Sequence, residues 1–563
     1  MIYVVALVGA ALPLWSSHAV PMVDLPQHLH LISVLHRLGD ASTIYPELFA
    51  RRPEITPYLG YYYAVATLNW LMPLELANRL FLTGYVVGLP LSLAFLLKSL
   101  KRSAWPSLLA VPFAYGDSFG WGFINYCAAL PLGFLACGLF IRAIEDEPRQ
   151  KRWAVLLGVT LSLVLLFHVQ VFAWLAGALP LLLVTSGALR GPAVQWLKER
   201  RYALYGVIPG VALFAAWFGP NMLKPADIRP GEPWHQWGPM FSEANLAFKP
   251  LLQNRAELFG VLSGLLRDGS DARAVVFAFS AAGLGAALAV ALWLKGAQGN
   301  VLRDKVIVLA ASAVAAIACW PMDSAAKIAV TALAAGAVLV FVGPAQETKL
   351  SRARLPLIAL LALLLFFSVP FDMRGFVYYF NTRYAHLFAA LLVCCVPEIE
   401  ARFHKLGLVA GAVVAIACGW PLAQGFKQFD QEEAPLEALH PWAQPKPKVM
   451  GLVYNPASRV MTHPVYLHAS TVVARERGGV TNFSFATTPH SPLMYQEGKT
   501  PPTFPSEWRP DTMSWESQGR WYDTFVIKGA SPEQVLGPHL AAGELEVAAH
   551  QGDFWLVRRP AGR

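Results

Sequence analysis

The sequence predicts an α-helical polytopic membrane protein, with about 13 transmembrane helices, that ends in a small C-terminal α/β domain. Three observations carry that prediction. Of 563 residues, 55% are hydrophobic and only 14% are charged, and the mean hydropathy is +0.44. A soluble domain carries nearer a quarter of charged residues, so the shortage of charge is the stronger signal. Apolar runs approaching the about 20 residues that a helix needs to cross the hydrocarbon recur along the chain. From about Gln424 the composition turns polar and strand-like runs begin.

The candidate spans are 2–19, 77–98, 104–117, 122–142, 153–168, 170–188, 203–219, 274–294, 304–320, 323–343, 354–370, 379–397 and 404–423. The first twenty residues lack a basic n-region and a clear cleavage site, so they read as a retained helix rather than a signal peptide. A further apolar piece, 57–73, is rich in Tyr and bounded by prolines. That composition suits an interfacial or re-entrant segment. Basic residues gather between the runs, as in Lys98/Lys101/Arg102, Arg142/Arg149/Lys151/Arg152, Lys295/Arg303/Lys305 and Lys349/Arg352/Arg354. Such clusters mark cytoplasmic loops. The spans alternate consistently with them if 57–73 does not cross, which puts the N-terminus inside and the C-terminal segment outside. The net charge of +9 is accounted for by these loops, and no nucleic-acid partner is expected. The six cysteines lie in or beside apolar runs, which gives neither a disulfide framework nor a zinc pattern.

The expected organisation is a transmembrane domain over 1–423 with outer loops 20–76 and 220–273, a Pro-rich linker over 424–447, and an extracytoplasmic α/β domain over 448–563. Strand-like runs there are KVMGLVYN, WYDTFVIKG, LEVAAH and DFWLVRR, the last expected at a sheet edge. Helix-like runs are PVYLHASTVVARERGG and SPEQVLGPHLAAG, the second with a Ser cap and a Pro in its first turn. With no nucleotide fingerprint or nucleophile elbow, a binding or lid role is the plain reading of this segment.

The residues that could do chemistry collect on the outer side. Asp24 opens the stretch DLPQHLHLISVLHRL just after the first span. It has two readings. It could cap an amphipathic helix lying on the membrane, with Leu29, Ile32, Leu35 and Leu38 on one face. It could instead be a general base or a metal ligand at the water–lipid boundary, with His28 four residues on sharing the first turn. His30 and His36 read as interfacial. His168 interrupts two apolar runs, either as a core histidine or lining a cavity. Arg383 and Arg374 flank GFVYYFNT near a span end, either snorkelling to headgroups or clamping a phosphate, for which the guanidinium fork is suited. Trp234, His235 and Trp237 offer a stacking surface for a sugar or lipid, or a membrane-interface belt, the simpler of the two. Asp117, in AYGDSFGWGF, and Tyr379 are further outer-side candidates for substrate binding.

Taken together, the acid opening the first outer loop, the surface helix that follows it, the Tyr-rich YLGYYYAV, the long span beginning ELANRLFLTG and the closing outer domain resemble the GT-C superfamily of integral membrane glycosyltransferases. The style is that of bacterial protein-mannosyltransferase-like and aminoarabinose-transferase-like members. The resemblance covers the whole chain as architecture and is specific over roughly residues 20–190. It implies a multi-pass protein of the bacterial inner membrane, part of cell-envelope assembly, that moves a sugar from a polyprenyl-phosphate-linked donor to a glycan, lipid or protein acceptor on the outer face. It implies Asp24 as the base or as a metal ligand, with His28 beside it, and a divalent cation such as Mg or Mn as a possible cofactor. It places His168 and Arg383, with Arg374, at the donor phosphate. The family's usual pair of acids is replaced here by Asp24 and His28 in DLPQH. Two rival readings are a transporter or flippase for a lipid-linked substrate, and a non-catalytic partner of the same fold.

Overall fold

A computed structural model describes residues 1–186, 193–223, 246–247, 258, 264–272, 275–276, 349–373, 379–396, 398–399 and 401–560. The candidate spans 304–320 and 323–343, and nearly all of 274–294, lie outside these residues. So do Arg374, Trp234, His235 and Trp237.

The protein is helical and multi-pass. Its membrane part contains α1 (Ile2–Trp15), α5 (Leu74–Ser99), α7 (Ile124–Glu145), α8 (Gln150–Phe167), α9 (Val169–Val184), α11 (Arg201–Leu223), α12 (Lys349–Ser368), α13 (Arg383–Leu392) and α14 (His404–Glu437). Among the described residues five helical stretches are long and apolar enough to cross a membrane: Leu74–Ser99, Ile124–Glu145, Glu147–Phe167, Arg201–Pro220 and Ala401–Trp442. Their outward faces are apolar, as with Val155, Val159 and Leu163 on α8 and Leu406, Val409, Val413 and Ile416 on α14. In water such stripes would be an aggregation hazard; against lipid tails they are matched to their solvent.

Three local expectations change. Residues 104–117 do not form a span. Trp105–Tyr115 is a 3₁₀ segment of 11 residues, all buried, with Pro106 and Pro112 removing two of the N–H groups that an α-helix would use. The 57–73 stretch contains α4 (Gly60–Asn69), whose 10 residues reach about 15 Å, half the hydrocarbon thickness. Helix α2 (Leu25–His36) is not a surface helix. It is buried from Leu25 to Leu35 except at Pro26. Its second face, which the pattern assigns to water, is covered by the C-terminal segment. His30 is fully buried, its Nε2–H donating to the Gly479 carbonyl at 3.0 Å, and His36 packs edge-on against Trp70 with ring centres 4.8 Å apart.

Helix α14 runs unbroken for 34 residues to Glu437, through the stretch read as the start of a linker. Beyond it a five-stranded sheet has the order β5-β4-β7-β9-β8, built from β4 (Lys448–Val453), β5 (Val480–Thr481), β7 (Thr524–Lys528), β8 (Glu546–Gln551) and β9 (Phe554–Arg558). β4 runs parallel to β5 and β7, while β9 is antiparallel to both β7 and β8. The last strand is therefore interior rather than an edge, because the β8–β9 hairpin folds back outside it. Helix α15 (Ala469–Glu476) packs the sheet against α2, and α16 (Pro532–Ala541) opens with a capping box between Ser531 and Gln534. A second small pairing, β1 (Phe49–Arg51) with β6 (Leu493–Tyr495), joins the first long loop to the C-terminal segment, Phe49 lying opposite Tyr495.

The N-terminal helix is fixed by close contact. Cβ atoms are absent where α1 crosses α14: a side chain at Gly419 would overlap the Gly9 carbonyl oxygen, and one at Gly9 would lie 3.0 Å from Ile416. Helices in lipid gain their mutual attraction from such close approach. Gly419→Leu is expected to destabilise the protein by about 1–3 kcal/mol, read as a lower midpoint of thermal unfolding in detergent. Gly84→Leu, at a position with open space around it, should leave the midpoint unchanged.

Candidate functional site

Asp24 is the N-cap residue of α2, yet its carboxylate makes no cap bond. The reason is local. Its φ of −87° and ψ of −7° are helical, outside the extended region from which a cap side chain reaches back. One of the two amides it would serve belongs to Pro26, which has no N–H. The capping reading of Asp24 therefore does not hold. Its Oδ1 instead lies 3.4 Å from Nε2 of His468, a residue 3% exposed, and Nδ1 of that ring is 3.8 Å from Oε2 of Glu507.

The backbone of Asp24 is set by the turn after α6 (Asp117–Trp121). The Gly120 carbonyl accepts from the Val23 amide and the Trp121 carbonyl from the Asp24 amide, both at 3.0 Å. Gly122 follows at φ +85°, a conformation natural to glycine, and a Cβ there would sit 3.0 Å from the Asp24 nitrogen. Phe123, the next residue, presents its ring to the Arg383 guanidinium at 4.3 Å. One four-residue turn thus carries both the carboxylate and the guanidinium.

His28 has another task than assisting Asp24. The Gly122 carbonyl lies 3.1 Å from Nε2 and can only accept, so Nε2 carries the hydrogen. Nδ1 then accepts from the Tyr62 hydroxyl at 2.7 Å. Both nitrogens are engaged, and His28 braces the turn. This also bears on the cation expected from sequence. Asp24 and His28 do not converge as ligands, and among the described residues no group of three His, Cys, Asp or Glu side chains could hold a metal ion.

Asp117 is paired in the same way as Asp24. Its Oδ1 lies 3.0 Å from Nε2 of His463, whose Nδ1 is 3.1 Å from the Thr462 hydroxyl. Around it stands an aromatic wall. Trp121 has ring centres 4.8 Å from Tyr379, 5.5 Å from His463 and 6.4 Å from the half-exposed Trp508. Tyr379 adopts φ +54°, a strained conformation for a bulky residue.

His168 and Arg383 are brought together. His168 breaks the chain between α8 and α9, and its Nδ1 accepts the Gln170 amide at 3.2 Å, capping α9. A ring nitrogen that accepts has no hydrogen, so the ring's hydrogen sits on Nε2. Nε2 faces Arg383 Nη1 at 3.3 Å. Two N–H donors therefore converge with no acceptor between them. Nε of Arg383 is also buried without a partner, and among the described residues no carboxylate lies within ion-pair distance of this guanidinium. Such an arrangement is costly unless an anion joins it.

The sequence reading missed His463, His468, Glu507, Trp508 and Tyr58, whose ring meets His168 edge-on at 4.6 Å. The available signal was THPVYLH, two imidazoles inside an otherwise apolar run. Their partners, Asp117 and Asp24, lie more than 340 residues away.

Burial pushes the pKa of both His28 and His30 down to about 4, with the Asp24 carboxylate opposing this in part at His28. In each case the unfolded chain takes up a proton more readily than the folded one. Their contribution to stability is thus complete above the ordinary value of 6.5 and is lost as pH falls towards 4. The loss is up to about 3 kcal/mol for each ring. Thermal unfolding at pH 7 and pH 4.5 should show this drop, and His30→Gln should flatten it.

No family profile and no curated protein matches the chain. Solved structures to which it is similar include those of two proteins. ArnT from Cupriavidus metallidurans bound to undecaprenyl phosphate is 12% identical with a TM-score of 0.47, over 100% of this chain and 98% of that one. The same protein in the apo state is 13% identical with a TM-score of 0.42, over 100% and 97%. Arabinofuranosyltransferase AftD from Mycobacteria is 13% identical with a TM-score of 0.46, over 100% of this chain but only 40% of that one.

Proposed function

We propose that this chain is a GT-C-type membrane glycosyltransferase that transfers a sugar from a polyprenyl-phosphate-linked donor to a hydroxyl or amine acceptor at the outer face of a bacterial inner membrane. The observation that carries the proposal is the pair of convergent donors, Arg383 Nη1 and His168 Nε2, 3.3 Å apart and lacking an acceptor. A phosphate oxygen between them would satisfy both. They belong to helices of the membrane part, which suits a phosphate tethered to a lipid.

In the reaction the acceptor oxygen or nitrogen forms its bond to the anomeric carbon. The bond from that carbon to the phosphate oxygen breaks, and its electron pair leaves with the polyprenyl phosphate. Arg383 and His168 meet the charge that develops on the leaving group. Asp24 takes the acceptor's proton, its carboxylate being free of any capping duty. The aromatic wall of Trp121, Tyr379 and Trp508 supplies apolar faces on which a sugar ring can stack. Asp117 stands beside that wall.

The purified protein should bind undecaprenyl phosphate, detected by native mass spectrometry. Arg383→Ala should weaken that binding by about 10- to 100-fold, the worth of a hydrogen bond to a charged group. Asp24→Asn should bind the lipid as the parent does, and lose transfer from undecaprenyl-phosphate-linked sugars by a factor of about 10² to 10⁴. Binding indifferent to Arg383 would overturn the donor site, and transfer intact in Asp24→Asn would overturn the base.

A further inference from the structure

The C-terminal segment enters the site at a point where a lid or an acceptor-binding module would not need to. We propose that His468 and Glu507 are positioning residues for Asp24. The imidazole holds one carboxylate oxygen, so that the other is presented to the acceptor, and Glu507 holds the imidazole. This rests on the reading of Asp24 as the base.

The geometry is specific to that role. His468 Nε2 faces Asp24 Oδ1 at 3.4 Å, while Oδ2 has no protein partner among the described residues. On the other side of the ring, Nδ1 is 3.8 Å from Glu507 Oε2 and 3.5 Å from the Gln27 amide nitrogen. That amide is already committed. It donates to the Phe483 carbonyl at 2.8 Å and to the Thr471 hydroxyl at 2.9 Å. Glu507 is therefore the acceptor towards which an Nδ1–H would point. The ring plane is set by Phe485, edge-on with centres 6.0 Å apart. The charged and titratable groups facing His468 are Asp24 and His28 from the start of α2 and Glu507 from the loop before Trp508. Burial alone would lower the pKa of His468, but the carboxylates of Glu507 and Asp24 outweigh it and raise it. In either charge state, an Nε2–H can remain on Oδ1.

The arrangement is duplicated a few residues away, where His463 meets Asp117 at 3.0 Å. Asp24 and Asp117 are thus each met by an imidazole from one short stretch, THPVYLH. A segment that served only to bind the acceptor would have no reason to place buried ionisable groups against both.

The test uses the full chain in detergent and labels Asp24 with a water-soluble carbodiimide, quantified by peptide mass spectrometry across pH. The reagent attacks a carboxyl oxygen, which loss of its hydrogen-bond donor leaves free to react. His468→Ala should raise Asp24 labelling at a fixed pH by about tenfold, the worth of one hydrogen bond to a charged group. His468→Gln, which restores an N–H, should return most of the way, and Glu507→Gln should give a smaller rise than His468→Ala. Undecaprenyl phosphate binding should stay at the parent level in all three. With undecaprenyl-phosphate-linked sugars, kcat should fall in His468→Ala with the donor KM unchanged, and recover in His468→Gln. Unchanged Asp24 labelling in both His468→Ala and Glu507→Gln would overturn the proposal. Absence of transfer in the parent protein would instead count against the glycosyltransferase reading, while the labelling still decides the role of His468.

Discussion

The contact of the Asp24 backbone with the Gly122 turn is the constraint on which the site depends. Gly122 is in the left-handed region and has no room for a side chain. The turn receives the Val23 and Asp24 amides on one side and is followed at once by Phe123, on which Arg383 rests. His28 then ties the Gly122 carbonyl to α2 and Tyr62. The carboxylate and the guanidinium are therefore not placed independently. A shift of the turn moves both, and the low-dielectric surroundings make such a shift costly to any charge developing between them.

The second organising feature is the pairing of burial with incomplete satisfaction. Most buried polar groups here are matched, as in the bond from the Tyr61 hydroxyl to Asn78 at 2.7 Å and from the Tyr85 hydroxyl to the Ala114 carbonyl at 2.9 Å. Other buried polar atoms lack a partner, but two nitrogens facing each other at His168 and Arg383 are a juxtaposition that folding alone would not favour. This juxtaposition lies where α9 begins, so the helix dipole adds to the positive potential. Structural roles alone would have placed a carboxylate or a carbonyl there.

Much of the membrane architecture was legible in the sequence because a bilayer imposes one length and one composition on every crossing helix. The exceptions have physical causes. Residues 104–117 are apolar enough to span, but two prolines and full burial among α1, α5 and α14 turn them into a 3₁₀ segment. Helix α2 has the stripe of a surface helix, yet the C-terminal segment covers its polar side, and a single-chain pattern cannot say that a remote part of the same chain will do so. Asp24 could be singled out as costly near the membrane, whereas its release from capping could be read only from its φ and ψ. Arg383 and His168 were each legible alone; that they meet at 3.3 Å was not. The partners His463, His468 and Glu507 lie in a segment whose local pattern reads as ordinary helix and loop.

The proposed substrate, half lipid and half carbohydrate, would need contacts of two kinds, and the chain has groups for them in two places. The His168–Arg383 pair comes from the helices of the membrane part. The acids come from the loops between those helices, and the groups that aim the acids come from the sheet-bearing segment beyond α14. That division explains why the C-terminal segment is stitched so closely to the first loop. Pairing of β1 with β6, burial of His30 against Gly479 and the docking of α15 on α2 all act within reach of Asp24. Each ties the C-terminal segment to the first loop, and on the proposed reading the site would be complete only when the two are docked.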